Sequence, residues 1–310
     1  MYYILKKYDK IVKTKGGKLM KNYIITTDNN ADLPDEYYKE HNIDIVLFSY
    51  MIDDVIYDGV ENSLSIEEFY EKVRNGAMPC TQQVNPENSR IFLEKYVRKG
   101  MPVIHLSFSS GLSGTYNSVC MGANEIKEAY PDAKITVIDT LCASMGQGLL
   151  VHEVLKRQRA GMSYEELVEW IENNKLRIVH DVIADDLFHL HRGGRVSKFA
   201  AVVGTKLGVK PIIHLNSEGK LIPYSKQRHK SSAMRYLANN LDRRIKVEDN
   251  LSTVAISHSA CLEDAKKLAT IIEKDPRVGE IIISDIGPTI GSHTGTGTIA
   301  LFYFADNRNI

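Results

Sequence analysis

The sequence predicts a two-domain α/β protein, with an N-terminal parallel-sheet α/β domain and a smaller C-terminal α/β domain that has a mixed or antiparallel sheet. The chain has 310 residues, the length of about two ordinary domains. In its first half, short apolar runs alternate with helical patterns, as they do where crossover helices join parallel strands. In its second half, two apolar runs flank a tight-turn sequence, which indicates an antiparallel hairpin.

The N-terminal domain is expected over residues 21–174. Two capping boxes, Ser65 with Glu68 and Ser163 with Glu166, mark the starts of two helices. The apolar patterns predict further elements, with strands at 23–27, 103–106 and 135–139 and helices at 115–129 and 146–159. We place the domain boundary at residues 173–176.

The C-terminal domain is expected over residues 175–310. Its hairpin turn is Ser217-Glu218-Gly219, and the flanking apolar runs begin at Lys210 and Lys220. The patterns further along the chain predict a helix at 231–241, a strand at 253–257, a helix at 262–272, and strands at 280–285 and 298–304.

Residues 1–20 are expected to form a disordered extension. The segment is rich in lysine, carries a polar tract at 13–18, and lacks the apolar core and cleavage site of a signal peptide. Met20 stands just before the first predicted strand, so we expect the fold to begin there.

The composition argues against several classes of protein. Lys plus Arg and Asp plus Glu number 39 each, whereas a nucleic-acid-binding protein needs a dominant basic face. No apolar run is long enough to span a membrane. The four cysteines form no C-x-x-C pair, and no cysteine or carboxylate set completes a zinc site with His189 and His191. We therefore expect reduced thiols, a cytoplasmic location, no metal and no cofactor.

Three polar loops follow predicted parallel strands, at residues 28–30, 107–115 and 139–144. Ligands of open α/β sheets bind at the carboxyl ends of the strands, so we expect these loops to share one rim. The middle loop combines hydroxyls and glycines directly before a helix, where free N–H groups and the positive helix end attract anions. The alternative is that its hydroxyls only cap the helix and fill a turn.

The missing nucleotide motifs narrow the choice of anion. Neither G-x-x-x-x-G-K-[ST] nor G-x-G-x-x-G after the first strand is present, so a carboxylate fits at least as well as a phosphate. In the second domain, Arg192 and Arg195 stand around a Gly-Gly turn suited to a carboxylate or phosphate. A Gly/Thr-rich loop at 286–297 contains His293. Solvated surface arginines and a backbone-bonded loop histidine are the alternatives for these two segments.

Taken in order, these loops resemble the motifs of the DegV family of bacterial fatty-acid-binding proteins, over nearly the whole chain from about Met20. The segment 28–34 resembles the family's opening D-[ST]-x-[AS]-D-L-P, and 109–116 closely resembles its central motif. The later motifs follow in the family's order, at Asp139-Thr140 with Ala143-Ser144, Gly146 and Gly148, at 192–197, at Lys210-Pro211 and at 286–295. Several motifs in the same order make the resemblance specific.

The resemblance implies a fatty-acid carrier that is not itself an enzyme. Family members enclose one fatty acid between their domains and present its carboxyl group to a separate ATP-dependent fatty-acid kinase, whose acyl phosphate feeds phospholipid synthesis. The family's carboxylate ligands fall here on Thr81 and Ser113, with Arg195 or Arg192 and His293 close by. The further supporting positions are Ser109, Ser110, Gly114, Thr294 and Asp28.

Two motifs depart from the family pattern. Thr81-Gln82-Gln83-Val84 replaces T-S-Q-P, which keeps the hydroxyl of Thr81 but alters its loop. Thr294-Gly295-Thr296-Gly297 replaces T-G-P-G, which bears on the rigidity of that loop. Neither change removes an implied ligand.

A serine hydrolase acting on an acyl ester is the alternative function. Ser113 or Ser109, together with His293 and Asp139, supplies the residue types of a catalytic triad. The segment 111–114 is not the G-x-S-x-G elbow of such enzymes. Phosphoryl transfer by the chain alone lacks a lysine and metal-binding carboxylates in a recognisable order.

Overall fold

The computed structural model describes residues 3–6, 23–185, 187–197, 208–247 and 252–309. Up to residue 174 the described elements are β1 (Tyr3–Lys6), β2 (Ile24–Asp28), α1 (Asp35–His41), β3 (Asp44–Val46), β4 (Ser49–Ile52), β5 (Val55–Tyr57), α2 (Ile66–Arg74), β6 (Cys80–Gln82), α3 (Pro86–Val97), β7 (Val103–Ser107), α4 (Thr115–Ala129), β8 (Ile135–Asp139), α5 (Met145–Arg159) and α6 (Tyr164–Asn174). The boundary expected at 173–176 covers the last two residues of α6 and part of the turn before the next strand.

The remaining described elements are β9 (Ile178–Ile183), α7 (Phe188–Arg192), β10 (Val209–Leu215), β11 (Leu221–Arg228), α8 (Lys230–Arg244), β12 (Ser252–His258), α9 (Leu262–Ile272), β13 (Val278–Asp285), α10 (Pro288–Thr294) and β14 (Ile299–Phe304). The six strands among them, together with β1, form a mixed seven-stranded sheet in the order β1-β13-β12-β14-β9-β10-β11. Within this sheet only β12 and β13 run parallel to each other.

The N-terminal half carries two smaller sheets. A four-stranded parallel sheet has the order β3-β2-β7-β8, and a three-stranded antiparallel sheet has the order β5-β4-β6. The structure thus confirms the predicted α/β class, with a parallel N-terminal sheet and a mixed C-terminal sheet. The helix predicted at 115–129 and the strand predicted at 135–139 coincide with α4 and β8.

Both predicted capping boxes are formed. Ser65 Oγ accepts a hydrogen bond from Glu68 N at 3.2 Å, and the Glu68 carboxylate accepts one from Ser65 N at 2.9 Å. Ser163 and Glu166 make the same exchange at the start of α6. Each box satisfies backbone N–H groups that have no partner inside their helix.

Residues 3–6 correct the expectation of a disordered extension. β1 lies antiparallel to β13, with Tyr3 opposite Ile283 and Lys6 opposite Glu280. An unpaired sheet edge offers N–H and C=O groups to any extended segment, so this short stretch gains hydrogen bonds by adding to the edge. The rest of residues 1–20 lies outside the described residues.

Helix α5 joins the two halves of the protein through their core. Its Leu149, Leu150 and Val154 are fully buried and belong to one apolar cluster with Leu106 of β7 and Phe302 of β14. Burial on both faces explains why β7 is apolar at Val103, Ile104 and Leu106, while the buried His105 has its Nδ1 2.9 Å from Thr26 Oγ1. Within the part of the chain that the structure describes, no helix is long and apolar enough to cross a membrane.

Candidate ligand-binding cavity

A cavity of about 300 Å³ lies between the parallel sheet and the mixed sheet. Asn30, Phe108 and Ala143, which closely follow β2, β7 and β8, line its N-terminal side, as expected for a site at the carboxyl ends of parallel strands. Most of its wall is apolar, and the apolar residues are Phe48, Phe108, Leu112, Ala143, Val182, Leu190, Ile213, Leu215, Leu221, Ile286, Ile290, Ala300 and Phe302. Such a wall is typical of small-molecule sites.

The structure brings five of the sequence-predicted site residues to this one cavity. They are Thr81, Ser113, Arg195, His293 and Thr294. Thr81 lies on β6, Ser113 in the loop before α4 and Arg195 in the turn after α7, while His293 and Thr294 end α10. Among the described residues that line the cavity there is no aspartate or glutamate.

His293 is the most buried titratable group of this set. Its Nε2 lies 2.9 Å from Thr81 Oγ1, while its Nδ1 is buried without a hydrogen-bond partner among the described residues. Burial, reinforced by the positive charges of Arg195 and Arg192, lowers the pKa of His293 to about 4. The imidazole is therefore neutral near pH 7 while no anion is bound.

Arg195 joins the two halves at the edge of the cavity. Its Nε donates to Leu112 O at 3.0 Å and its Nη1 donates to Gly193 O at 2.5 Å. Burial lowers the pKa of its guanidinium from the usual value. Within the described part of the chain this guanidinium pairs with no carboxylate, so its charge is free to attract an anion.

Ser113 both hydrogen-bonds to the start of a helix and lines the cavity, the two alternatives that the sequence left open for its loop. Its Oγ accepts from Thr115 N at 3.2 Å and donates to Thr115 Oγ1 at 3.1 Å, so it satisfies a backbone N–H at the start of α4. Ser113 also lines the cavity. Because a hydroxyl donates only one proton, a bound anion would have to replace Thr115 Oγ1 as the acceptor.

Five of the predicted supporting residues do not line the cavity. Asp28 is fully buried, where its carboxylate accepts from Phe108 N at 2.7 Å and Asn30 N at 3.0 Å, and burial raises its pKa to about 7. Ser109 Oγ donates to Gly219 O at 2.8 Å, which ties the N-terminal loop to the turn between β10 and β11.

The other three supporting residues also do not line the cavity, and each lies against other parts of the protein. Ser110 is exposed, and its backbone N donates to Asp139 Oδ1 at 3.1 Å. Gly114 precedes α4 at a point where a Cβ atom would come within 2.3 Å of Gln83 Oε1. Arg192 Nη2 donates to Pro79 O at 2.9 Å and to Ser292 O at 3.2 Å. Each of these residues shapes the site without facing into it.

The described residues do not assemble the triad of the hydrolase alternative. His293 is hydrogen-bonded to Thr81, and among the described residues no hydrogen bond joins it to Ser113 or Ser109. The carboxylate of Asp139 accepts from the backbone N–H groups of Ser110 and Leu141, so it does not orient a histidine. The same described residues contain no cluster of histidine, cysteine or carboxylate side chains able to hold a metal ion.

Sequence reasoning missed most of the cavity wall. Gln82 and Gln83, next to Thr81, line the cavity together with residues of β9, β10, β11 and β14. The apolar alternation of these strands predicts that one face is buried. It does not say whether that face packs against protein or lines a ligand site.

The fold and the cavity together define a class: α/β proteins with a cavity between a parallel sheet and a mixed sheet. The chain belongs to the DegV family, since a family model described as "Uncharacterised protein, DegV family" matches residues 22–306. A DegV domain-containing protein of Clostridium perfringens is 41% identical over 290 residues, which cover 93% of this chain and 99% of the relative.

Two solved structures show the same fold. A DegV family protein from Thermus thermophilus, described by its fatty acid binding, superposes with a TM-score of 0.82 and is 25% identical, covering 92% of this chain and 100% of that chain. A stearic acid-binding protein from Eubacterium ventriosum has a TM-score of 0.79 and 25% identity, covering 91% and 98%.

Proposed function

We propose that this protein binds a long-chain fatty acid in the cavity, with the carboxylate held by Thr81, Ser113, Arg195 and His293. The observation that carries the proposal is the composition of the cavity wall. Most of the wall is apolar, its hydrogen-bond donors include the hydroxyls of Thr81 and Ser113 and the guanidinium of Arg195, and no described residue lines it with a carboxylate. Thr294 shares this wall, and we propose it as a supporting contact. The fatty acids bound by the Thermus and Eubacterium proteins support the assignment.

The physical chemistry of a fatty acid matches both parts of the cavity. Each methylene that is buried contributes roughly 0.8 kcal/mol, so about ten of them contribute roughly 8 kcal/mol before the costs of association. A buried carboxylate must be hydrogen-bonded, and the two hydroxyls and the guanidinium provide donors. Arg192, whose charge also acts on His293, adds positive potential without touching the cavity.

We further propose that the protein is a carrier, which presents the bound carboxyl group to a separate ATP-dependent fatty-acid kinase in the cytoplasm. The resulting acyl phosphate would feed phospholipid synthesis. The lack of an assembled triad among the described residues supports a carrier over a hydrolase. A carrier needs only to bind and release its ligand.

Lipid identification tests the binding proposal. We expect organic extraction of the purified full chain, followed by mass spectrometry, to yield fatty acids. The delipidated protein should rebind added oleate or stearate in titration calorimetry. Failure of both measurements would refute fatty-acid binding.

Product trapping tests the carrier proposal. The loaded protein is mixed with a bacterial fatty-acid kinase and ATP, and acyl phosphate is trapped with hydroxylamine as the hydroxamate. We expect hydroxamate only when protein, kinase and ATP are all present. Hydroxamate formed without the kinase, or ester turnover by the chain alone, would contradict the non-catalytic assignment.

A further inference from the structure

A second cavity, an open groove of about 960 Å³, adjoins the first. Three residues line both spaces: Asn30, Phe48 and Thr289. They come from the turn after β2, the segment before β4 and the first turn of α10, and we call them the partition. These three residues therefore lie between the two spaces.

The two spaces differ in charge. Thr81, Ser113, Arg195 and His293 line the first cavity and none of them lines the groove. The groove is instead lined by Asp35, Glu36, Glu67 and Asp285, together with Arg74 and His258. Asp32 also lines it, but burial raises the pKa of this carboxyl to about 8, so it is mostly protonated near pH 7. A carboxylate is repelled from the groove and attracted to the cavity, so a bound fatty acid has only one favourable direction.

The groove also has an apolar floor that can accept hydrocarbon. Leu47, Tyr50, Tyr57, Leu64 and Ile66 line it. Leu64 and Ile66 are partly exposed and pack against the buried Tyr50 cluster. Methylenes that reach this floor would leave water, which favours their binding.

The partition is built so that its side chains, not its backbone, can move. Asn29 holds the backbone of Phe48 on both sides, since Phe48 N donates to Asn29 Oδ1 at 3.0 Å and Asn29 Nδ2 donates to Phe48 O at 3.4 Å. The Phe48 ring packs edge-on against Phe108 at 6.0 Å between centroids. Displacing this ring costs only packing contacts and breaks no hydrogen bond.

Asn30 makes the closed partition less favourable than it would otherwise be. The residue is 2% exposed, and its Nδ2 has no hydrogen-bond partner among the described residues. A buried donor without a partner costs free energy. Movement of the Asn30 side chain therefore breaks no hydrogen bond between its Nδ2 and the described residues.

We propose that fatty acids too long for the cavity pass their terminal methylenes through the partition into the groove, and that Phe48 sets the preferred chain length. This inference rests on the proposed fatty-acid binding. It adds a second lipid compartment, whose acidic lining keeps the carboxylate at the cationic end of the first.

The test is a competition among saturated fatty acids, from lauric to lignoceric, for the delipidated full chain, with the bound species read by native mass spectrometry. Phe48→Ala should shift the most occupied species to longer chains. Phe302→Ala is the matched control, because Phe302 lines the cavity but not the groove. Leu64→Asp places a charge on the groove floor without touching the cavity.

The combination of variants distinguishes two explanations for a shift to longer chains: entry of the tail into the groove, and simple enlargement of the cavity. Leu64→Asp should cancel the shift produced by Phe48→Ala and leave the profile of Phe302→Ala unchanged. By itself, Leu64→Asp should reduce binding of the longest acids only, which keeps the test valid if Phe48→Ala does not fold. A Phe48→Ala profile that Leu64→Asp does not alter would overturn the inference. A wild-type protein that binds none of the acids would instead overturn the proposed function.

Discussion

The N-terminal wall of the cavity, which carries Thr81 and Ser113, is held in part by the buried carboxyl group of Asp28. The C-terminal wall, which carries Arg195 and His293, has a guanidinium that donates, within the described part of the chain, only to carbonyl oxygens. Asp28 binds the backbone N–H groups of Phe108 and Asn30. On the opposite wall, Arg195 donates to Leu112 O and Gly193 O. The carboxyl group of Asp28 is used inside the protein, where burial raises its pKa to about 7, whereas the positive charge of Arg195 on the other wall is paired with no carboxylate among the described residues.

This difference indicates that the two walls contribute to binding in different ways. The N-terminal loops supply neutral hydroxyls at positions set by a rigid sheet edge, and rigid placement lowers the entropic cost of binding. The C-terminal loops supply the charge that draws an anion in. Removing a donor from either wall should therefore weaken binding, and the loss should be larger on the charged wall.

The largest expected effect is that of Arg195→Met. A hydrogen bond to a charged group contributes about 1.5–3 kcal/mol, so fatty-acid affinity should fall by about 10- to 150-fold in titration calorimetry. Arg192→Met is the matched control, because Arg192 contacts carbonyls and does not line the cavity. Equal losses in the two variants would mean that general positive potential, not contact with Arg195, binds the carboxylate.

A smaller effect is expected on the neutral wall, from Ser113→Ala and Thr81→Val. Each should weaken binding by about tenfold, the lower end for a hydrogen bond to a charged acceptor, and thermal unfolding should show that the fold remains. Ser110→Ala is the control, since this serine lies in the same loop but is exposed. Wild-type affinity in the Ser113→Ala, Thr81→Val double variant would show that the head group binds elsewhere.

The sequence predicted the N-terminal wall for a physical reason. Parallel neighbouring strands end at one edge, so the loops after β2, β7 and β8 had to meet. The sequence could not predict which polar side chains of these loops hydrogen-bond to backbone groups and which line the cavity. Asp28 and Ser109 were therefore assigned to ligand binding although they hold Phe108 N and Gly219 O.

The meeting of Thr81 with the C-terminal wall was harder to predict because the two parts lie far apart in sequence. Thr81 stands on a three-residue strand with little signal of its own, and only the family resemblance selected it. The segment around His293 reads as a Gly/Thr-rich loop, yet residues 288–294 form α10, which begins at a proline suited to the first helical turn. The contact of 2.9 Å between Thr81 and His293 spans 212 positions and depends on the whole fold.

The smallest expected effect concerns the proton on His293, where the two walls meet. The pKa of His293 is about 4 without a ligand, and a carboxylate bound nearby raises it because it favours the charged imidazolium. Affinity should therefore rise as pH falls through the raised pKa toward about 4, and should not change with pH above the raised value. Each unit by which the pKa rises corresponds to at most about a tenfold gain in affinity.

His293→Gln checks this linkage, because glutamine can keep a hydrogen bond to Thr81 but does not titrate. Calorimetry in buffers of different ionisation enthalpy should show proton uptake on binding to the wild type that exceeds the uptake by the variant. Protonation of the fatty acid itself contributes equally to both proteins and cancels in the comparison. Equal uptake would mean that His293 stays neutral in the complex, so that the charge on the C-terminal wall comes from arginine alone.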